Sequence, residues 1–464
     1  MSNRSPDGAA RTALYTAVVW LVVGVLSFAL ASAKLVDPDL LATRMLSYGR
    51  LRAVASIALQ YGWLGLGGTA AIFYVLPRVT GVRMRSETSG ILAALLLNLV
   101  VGLGVLITLA TGPAGPEFSE LPRYLDAVLV VTLLMIAANV FRTAAKRTEP
   151  ALYVSVWHFC GAAIWAPLAI ALGNLHSETG VGGSIAGLFS INATLLLWFA
   201  SAGLGALYYL LPKATEAPLY SHRLAMVGFW ALALAGPLAG QSRQVFGPSQ
   251  DWLQTLATAA SIVLLIPGLT TVINVFGTLR GSWSRLTNNP SVLFLVGGTL
   301  FFVAGIGQQI FLSFRSVARF LGTTEIVTSG VWLFIFGAFG LWTAGLVVFA
   351  FPRLMGHNWS SRPMVAAHFW FTTLGTLIVA LSAWGAGLVA AALINAGVVL
   401  DSPVSFGEGF SVVATSVAGF HASAAFGAVV LAIGQVIFAI NLFRSTSAGA
   451  PRPIEMVTGG EVPA

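Results

Sequence analysis

The sequence holds a single cysteine, Cys160, so it can form no internal disulfide and no cysteine-built zinc or iron–sulfur site. Charge is nearly as scarce. Only 9% of the 464 residues are Asp, Glu, Lys or Arg, against roughly 25% in a soluble globular domain. A chain this poor in charge cannot cover a water-facing surface, which excludes a soluble enzyme, a secreted scaffold and a disordered regulator. The basic residues do not gather into the patches that read nucleic acid, so the net charge of +8 implies no such partner.

What is present is apolar. Hydrophobic residues make up 57% of the chain and the mean hydropathy is +0.86. Glycine accounts for 50 residues, well above the usual share of about 7%. Small residues let membrane helices approach closely, so the excess fits a tightly packed bundle. Apolar stretches long enough to cross about 30 Å of hydrocarbon recur near 12–33, 53–77, 89–111, 124–145, 151–173, 184–212, 224–242, 253–279, 291–314, 326–352, 363–391 and 409–443. The expectation is therefore all-α: a polytopic membrane protein, one integral membrane domain over 1–464, with twelve helices between 12 and 443 and short tails. Ala31-Ser32-Ala33 looks superficially like a signal-peptidase site, but about twenty apolar residues precede it, more than the 7–15 of a signal peptide. The first run is expected to remain as a span.

Orientation follows from Lys and Arg. The even-numbered loops carry Arg78, Arg83, Arg85, Arg142, Lys146, Arg147, Lys213, Arg223, Arg280, Arg285, Arg353 and Arg362, and the tails add Arg4, Arg11, Arg444 and Arg452. The odd loops hold most of the acids, Asp37, Asp39, Glu117, Glu120, Glu178 and Asp251 among them. The positive-inside rule then puts both termini in the cytoplasm of a bacterial-type inner membrane. Pro167, Pro237 and Pro267 interrupt spans, yet no half-to-half correspondence of the kind found in inverted-repeat transporters stands out.

Ionisable residues at membrane depth are functional candidates by default. His158, His368 and His421 fall within or near spans, His421 as the deepest, while His176, His222 and His357 sit in loops or at interfaces. Asp126 and Glu325 lie near span ends, and Arg243 closes the seventh span as a snorkelling cation. Gln308-Gln309, within the ninth span, must find partners inside the bundle.

Several stretches carry a resemblance. They are Gly49-Arg50-Leu51-Arg52, Tyr208-Tyr209-Leu210-Leu211-Pro212-Lys213 with Pro218 to Leu224 behind it, Phe229-Trp230-Ala231-Leu232, Asp251 to Leu256, and Ala367-His368-Phe369-Trp370 with Gly375-Thr376. Together they resemble the catalytic membrane subunit of the cbb-type cytochrome c oxidases, the C-family of the heme–copper oxidase superfamily, over roughly residues 12–443. The resemblance implies a twelve-helix subunit I bundle with both termini cytoplasmic, a low-spin heme b, a high-spin heme and a copper ion.

Six histidines ligate those groups in the family, and here their places read differently. The low-spin heme position in the second span falls at Ala55, in Ala53-Val54-Ala55-Ser56. The copper positions fall at Asn192 in the sixth span and at Ser242 and Arg243 in the seventh. The His-x-His of the tenth span becomes Gly330-Val331-Trp332. The family's tyrosine falls at Gly236 and its glutamate at Gln308, and no histidine lies between 223 and 356 to rescue the set. Heme iron needs an axial donor and an oxygen-activating copper needs several imidazoles. The expectation is a non-catalytic paralogue with no cofactor, no metal and no catalytic residue. It would work in the membrane as a scaffold or partner to other membrane subunits, cytochrome c-type ones by family analogy. An alternative is an oxidase or nitric oxide reductase relative that keeps one heme b through relocated ligands, His421, His158 or His368, and takes electrons from cytochrome c. A third is a channel or transporter lined by Asn192, Gln241, Ser242, Arg243, Gln308 and Gln309.

Overall fold

The computed structural model describes residues 7–174, 180–397 and 406–448. His176, Glu178, Arg4 and Arg452 lie outside the described residues, as do the outer parts of both tails. In a bilayer every backbone amide must be paired within the chain, and the long apolar runs answer with helices. These are α1 (Gly8–Lys34), α2 (48–80), α3 (Glu87–Thr111), α4 (Arg123–Ala144), α5 (Val154–Asn174), α6 (Gly180–Thr215), α7 (His222–Gln244), α8 (Asp251–Leu279), α9 (Pro290–Ser313), α10 (Ile326–Met355), α11 (Arg362–Asn395) and α12 (Phe406–Ala448). Among the described residues eleven are long and apolar enough to cross a membrane. The exception is α2, helical throughout but diluted by Gln60, Tyr61 and the glycines at 62, 65, 67 and 68.

The helices repeat in fours rather than in halves. α1 packs on α2, α5 on α6 and α9 on α10. The even members α2, α6 and α10 form the centre: residues 53–77 of α2 are all buried, and the most apolar stretch of α10 is buried completely. Each central helix ends in a Pro-basic pair, Pro77-Arg78, Pro212-Lys213 and Pro352-Arg353. Each also carries a π-helical segment about thirteen to nineteen residues before that proline: Ala58–Gly65, Thr194–Phe199 and Leu333–Phe339.

Small residues interlock the three. The residue ten before the proline in one helix meets the residue nine before it in the next. A Cβ on Gly67 would collide with Cγ2 of Thr343, one on Gly68 would lie 3.1 Å from Cβ of Ala202, and one on Gly203 2.6 Å from the Trp342 ring. Glycine here permits backbone approach that any side chain would block.

The fourth helix of each repeat clamps the start of the third. Ser86, Ser221 and Ser361 cap α3, α7 and α11, each hydroxyl accepting the N–H of the residue three further on. The N–H groups of these same serines donate to Oδ1 of Asn139, Asn274 and Asn441, at 3.2, 2.9 and 3.2 Å. Four residues beyond each asparagine, Thr143, Thr278 and Ser445 accept the backbone N–H of Arg85, Tyr220 and Ser360 at 3.0, 3.0 and 2.8 Å. The three clamps are written in sequence as Asn-Val-Phe-Arg-Thr, Asn-Val-Phe-Gly-Thr and Asn-Leu-Phe-Arg-Ser. Half-to-half comparison misses this period, because it is a parallel repeat of one third of the bundle.

Candidate functional site

Four of the positions that the resemblance assigns to ligands fall where the central helices widen. Ala55, Asn192, Gly330 and Trp332 all lie within three residues of the start of a π-helical segment. Such segments are rare and concentrate at functional sites, because the extra residue re-aims the side chains of that turn.

The first region lies between α1, α2, α10 and the loop joining α3 to α4. Trp332 is buried there among rings: Phe28 at 4.7 Å, Phe118 edge-on at 5.4 Å and Phe336 stacked at 5.5 Å. Ala55 is fully buried and contributes only a methyl group. Beside it a polar chain crosses from helix to loop. Ser56 donates to Glu120 at 2.7 Å, Gln60 donates to Ser56 at 2.7 Å and reaches the Phe118 carbonyl at 3.5 Å. Glu120 also accepts the Phe118 N–H at 2.9 Å, and Arg52 stands 3.7 Å from it while pairing with Glu117 at 2.6 Å. Burial outweighs these favourable contacts and pushes the Glu120 carboxyl up to about 7. The sequence marks Glu120 only as one acid among many in the odd loops; its partners on α2, Ser56 and Gln60, carry no signal of their own.

The second region lies between α6, α7, α9 and α10. The Asn192 amide donates to the Gly236 carbonyl, and the Ser242 hydroxyl donates to Ala239 at 2.7 Å. Gln241 donates to Ile185 at 2.8 Å. Gln308 gathers three elements: its Nε2 donates to the Ile326 carbonyl at 2.7 Å and to Ser329 at 3.2 Å, and its Oε1 accepts Trp384 Nε1–H at 3.0 Å. A Cβ on Gly330 would come within 2.9 Å of that Nε2. One on Gly236 would press on Leu197 and Leu196 at 3.2 and 3.3 Å. Ser242, Arg243, Gln308, Gln309 and Gly330 line a cavity of about 30 Å³, room for a water or two rather than a macrocycle.

The three histidines are not brought together. His158, on α5, is fully buried with Tyr208 and Phe229 rings at 5.5 and 5.0 Å, and neither ring nitrogen has a hydrogen-bond partner among the described residues. His368, on α11, lies between Phe294 and Phe438 with ring centres 5.3 and 4.1 Å away, and its Nδ1 is 3.2 Å from the Gly434 carbonyl. His421 is not the deepest histidine, as the sequence suggests. It is half-buried on α12 with Nε2 2.7 Å from Glu325, at the very start of α10. α12 is 43 residues long, about twice what a span needs, so a residue well inside its apolar run can still sit near an end. Among the described residues no three His, Cys, Asp or Glu side chains are grouped to hold a metal.

A twelve-helix bundle of membrane-length helices makes this a polytopic integral membrane protein, and the comparisons give its family. The family model for the cytochrome c and quinol oxidase polypeptide I matches residues 8–430. The chain belongs to that family. Cytochrome c oxidase subunit 1 of Rhodobacter capsulatus is 28% identical over 407 residues, covering 82% of this chain and 75% of that one. The Cbb3-type cytochrome c oxidase subunit CcoN1 of Stutzerimonas stutzeri is 26% identical and covers 94% of both. A nitric oxide reductase subunit of Stutzerimonas stutzeri is 25% identical over 159 residues, 31% of this chain and 33% of its own. A heme–copper terminal oxidase dimer solved by cryo-EM shares the fold, with a TM-score of 0.80 at 14% identity over 97% of this chain and 85% of that one.

Proposed function

We propose that this chain keeps the oxidase subunit I scaffold without its heme and copper chemistry, and serves as a partner subunit in a membrane complex. What supports the reading most is the chemistry of the side chains at the six ligand positions. Ala55 and Gly330 offer no donor atom, the Trp332 indole donates hydrogen bonds but does not ligate iron, and Arg243 presents a cation. Asn192 and Ser242 already spend their polar groups on backbone carbonyls. These residues do not fit the groups the family implies. The contacts also run against restoring them singly: Gln308 stands where a side chain from Gly330 would start, and three rings enclose Trp332.

Both termini of the described chain lie on the face of the Pro-basic pairs, since Asp7 meets Arg78 and Asn441 meets Ser361. The charge bias supports assigning that face to the cytoplasm. The test is purification of the tagged full-length chain from its native membrane. The reading predicts membrane subunits in stoichiometric company and no oxygen or nitric oxide consumption by the isolated chain with reduced cytochrome c. Turnover by the isolated chain would overturn it.

A further inference from the structure

Arg243 stands in the tight turn Gly240–Gln244 that ends α7, partly buried against α9 and the short helix Arg315–Leu321 that leads from α9 to α10. Its guanidinium makes no hydrogen bond or ion pair among the described residues. Glu117, whose charge reaches it from the α3–α4 loop, is itself held by Arg52 at 2.6 Å. A guanidinium carries five N–H donors in a planar fork, and leaving them unused at the edge of a membrane span is costly.

Arg243 forms one wall of the cavity of about 30 Å³ in the second region. Gln309 forms another, and its Nε2 is buried with no hydrogen-bond partner among the described residues. Their neighbours are already committed. Gln308 spends its amide on Ile326, Ser329 and Trp384, and Ser242 donates to Ala239. The unused donors at this recess therefore come from two helices, one a planar fork and the other a primary amide. Small residues keep the space open: Gly330 on α10, and Ala318 and Gly322 in the α9–α10 connection.

Room for a water or two is room for about three heavy atoms, which sets the size of an occupant. The guanidinium fork matches two oxygens lying in one plane, which sets its shape. We propose that this recess binds a small planar oxoanion of the formate or nitrite kind, its two oxygens taken by the Arg243 fork and one of them shared with the Gln309 amide. The inference rests on the reading that no copper occupies this region, since Ser242 and Arg243 stand at two of the copper positions.

The experiment uses the full-length chain in detergent and the variants Arg243→Gln and Gln309→Leu, with iron and copper quantified on each sample. Thermal unfolding is followed against sodium formate, sodium nitrite and sodium sulfate, with sodium chloride holding the ionic strength constant. Formate and nitrite raise the unfolding temperature of the native chain along a saturable curve. Sulfate is tetrahedral and too large for the recess, so its general effect on protein hydration moves native chain and variants alike. Arg243→Gln shifts the half-saturating concentration upward by about 10- to 100-fold, through the loss of charge-assisted hydrogen bonds, and Gln309→Leu by about 3- to 10-fold. A metal-free native chain with no saturable shift holds water only at this place, which overturns the proposal; so does an equal shift in a folded Arg243→Gln. Should that variant not fold, Gln309→Leu and the native comparison of formate with sulfate decide. Stoichiometric copper in the native sample overturns the copper-free reading and the proposal with it, and the metal analysis tells the two failures apart.

Discussion

Gln308 occupies the ground that a side chain at Gly330 would need. Its Nε2 lies 2.9 Å from where that Cβ would be, and its amide is held in place by Ile326, Ser329 and Trp384. The two residues are a matched pair on α9 and α10, and the match has a measurable consequence. Gly330→Ala must displace an amide that makes three hydrogen bonds, which is expected to cost about 1–3 kcal/mol. Gln308→Ala alone loses those bonds as well, but in its background Gly330→Ala should be nearly neutral. Thermal unfolding of the two singles and the double reads this as a coupling; simple additivity would contradict the pairing.

The central interlock can be tested by the same measurement. Gly203→Ala puts a methyl 2.6 Å from the Trp342 ring, and Gly67→Ala drives one into the Thr343 side chain. Each is expected to destabilise by about 1–3 kcal/mol. Gly307→Ala, on α9 with open space at the Cβ, should be neutral or stabilising by up to about 1 kcal/mol. Equal effects at all three would mean the close approach is not what glycine serves.

The three clamps predict a pattern rather than a single value. Asn139→Ala, Asn274→Ala and Asn441→Ala each strip an acceptor from the capping serine of the preceding helix in the same geometry. Each should cost about 1–2 kcal/mol, and the costs should add because the sites share no partners. One clamp dominating the others would show that the repeat is a matter of shape and not of energy.

Much of the fold is legible in the sequence, and the gaps have physical causes. Long apolar runs announce helices because a bilayer leaves no other choice, so the expected span limits fall within a few residues of most helix ends. α2 is the span that composition weakens, through Gln60 and its glycines, and those same residues are what the centre of the bundle requires. The three-fold repeat is hidden because its clamps use short polar motifs, five residues each, separated by 135 and 167 positions between Asn139, Asn274 and Asn441. Depth is the least readable quantity. His421 sits well inside an apolar run yet meets Glu325 near an end of the bundle, while His158, in a plainer setting, is wholly buried. The π-helical segments have no sequence signal beyond the helices that contain them.

Glu120 gives the account a pH signature. Its carboxyl is raised from 4.5 to about 7 by burial. The folded state then holds the proton more tightly than the unfolded chain, so stability should fall as pH rises from about 4.5 to about 7 and level off above. The loss is on the order of 3 kcal/mol. Glu120→Gln, which keeps an acceptor for Ser56, should flatten this slope, whereas a slope unchanged in the variant would assign it to another group.

The most direct test of the central claim is a reduced-minus-oxidised optical spectrum of the detergent-purified chain, with iron and copper quantified on the same sample. Absence of a Soret band and of stoichiometric iron or copper is the expected result, since Ala55, Asn192, Ser242, Arg243, Gly330 and Trp332 offer those metals no ligand set. One heme per chain would contradict it, and would send the search for its axial donor to His158, His368 and His421.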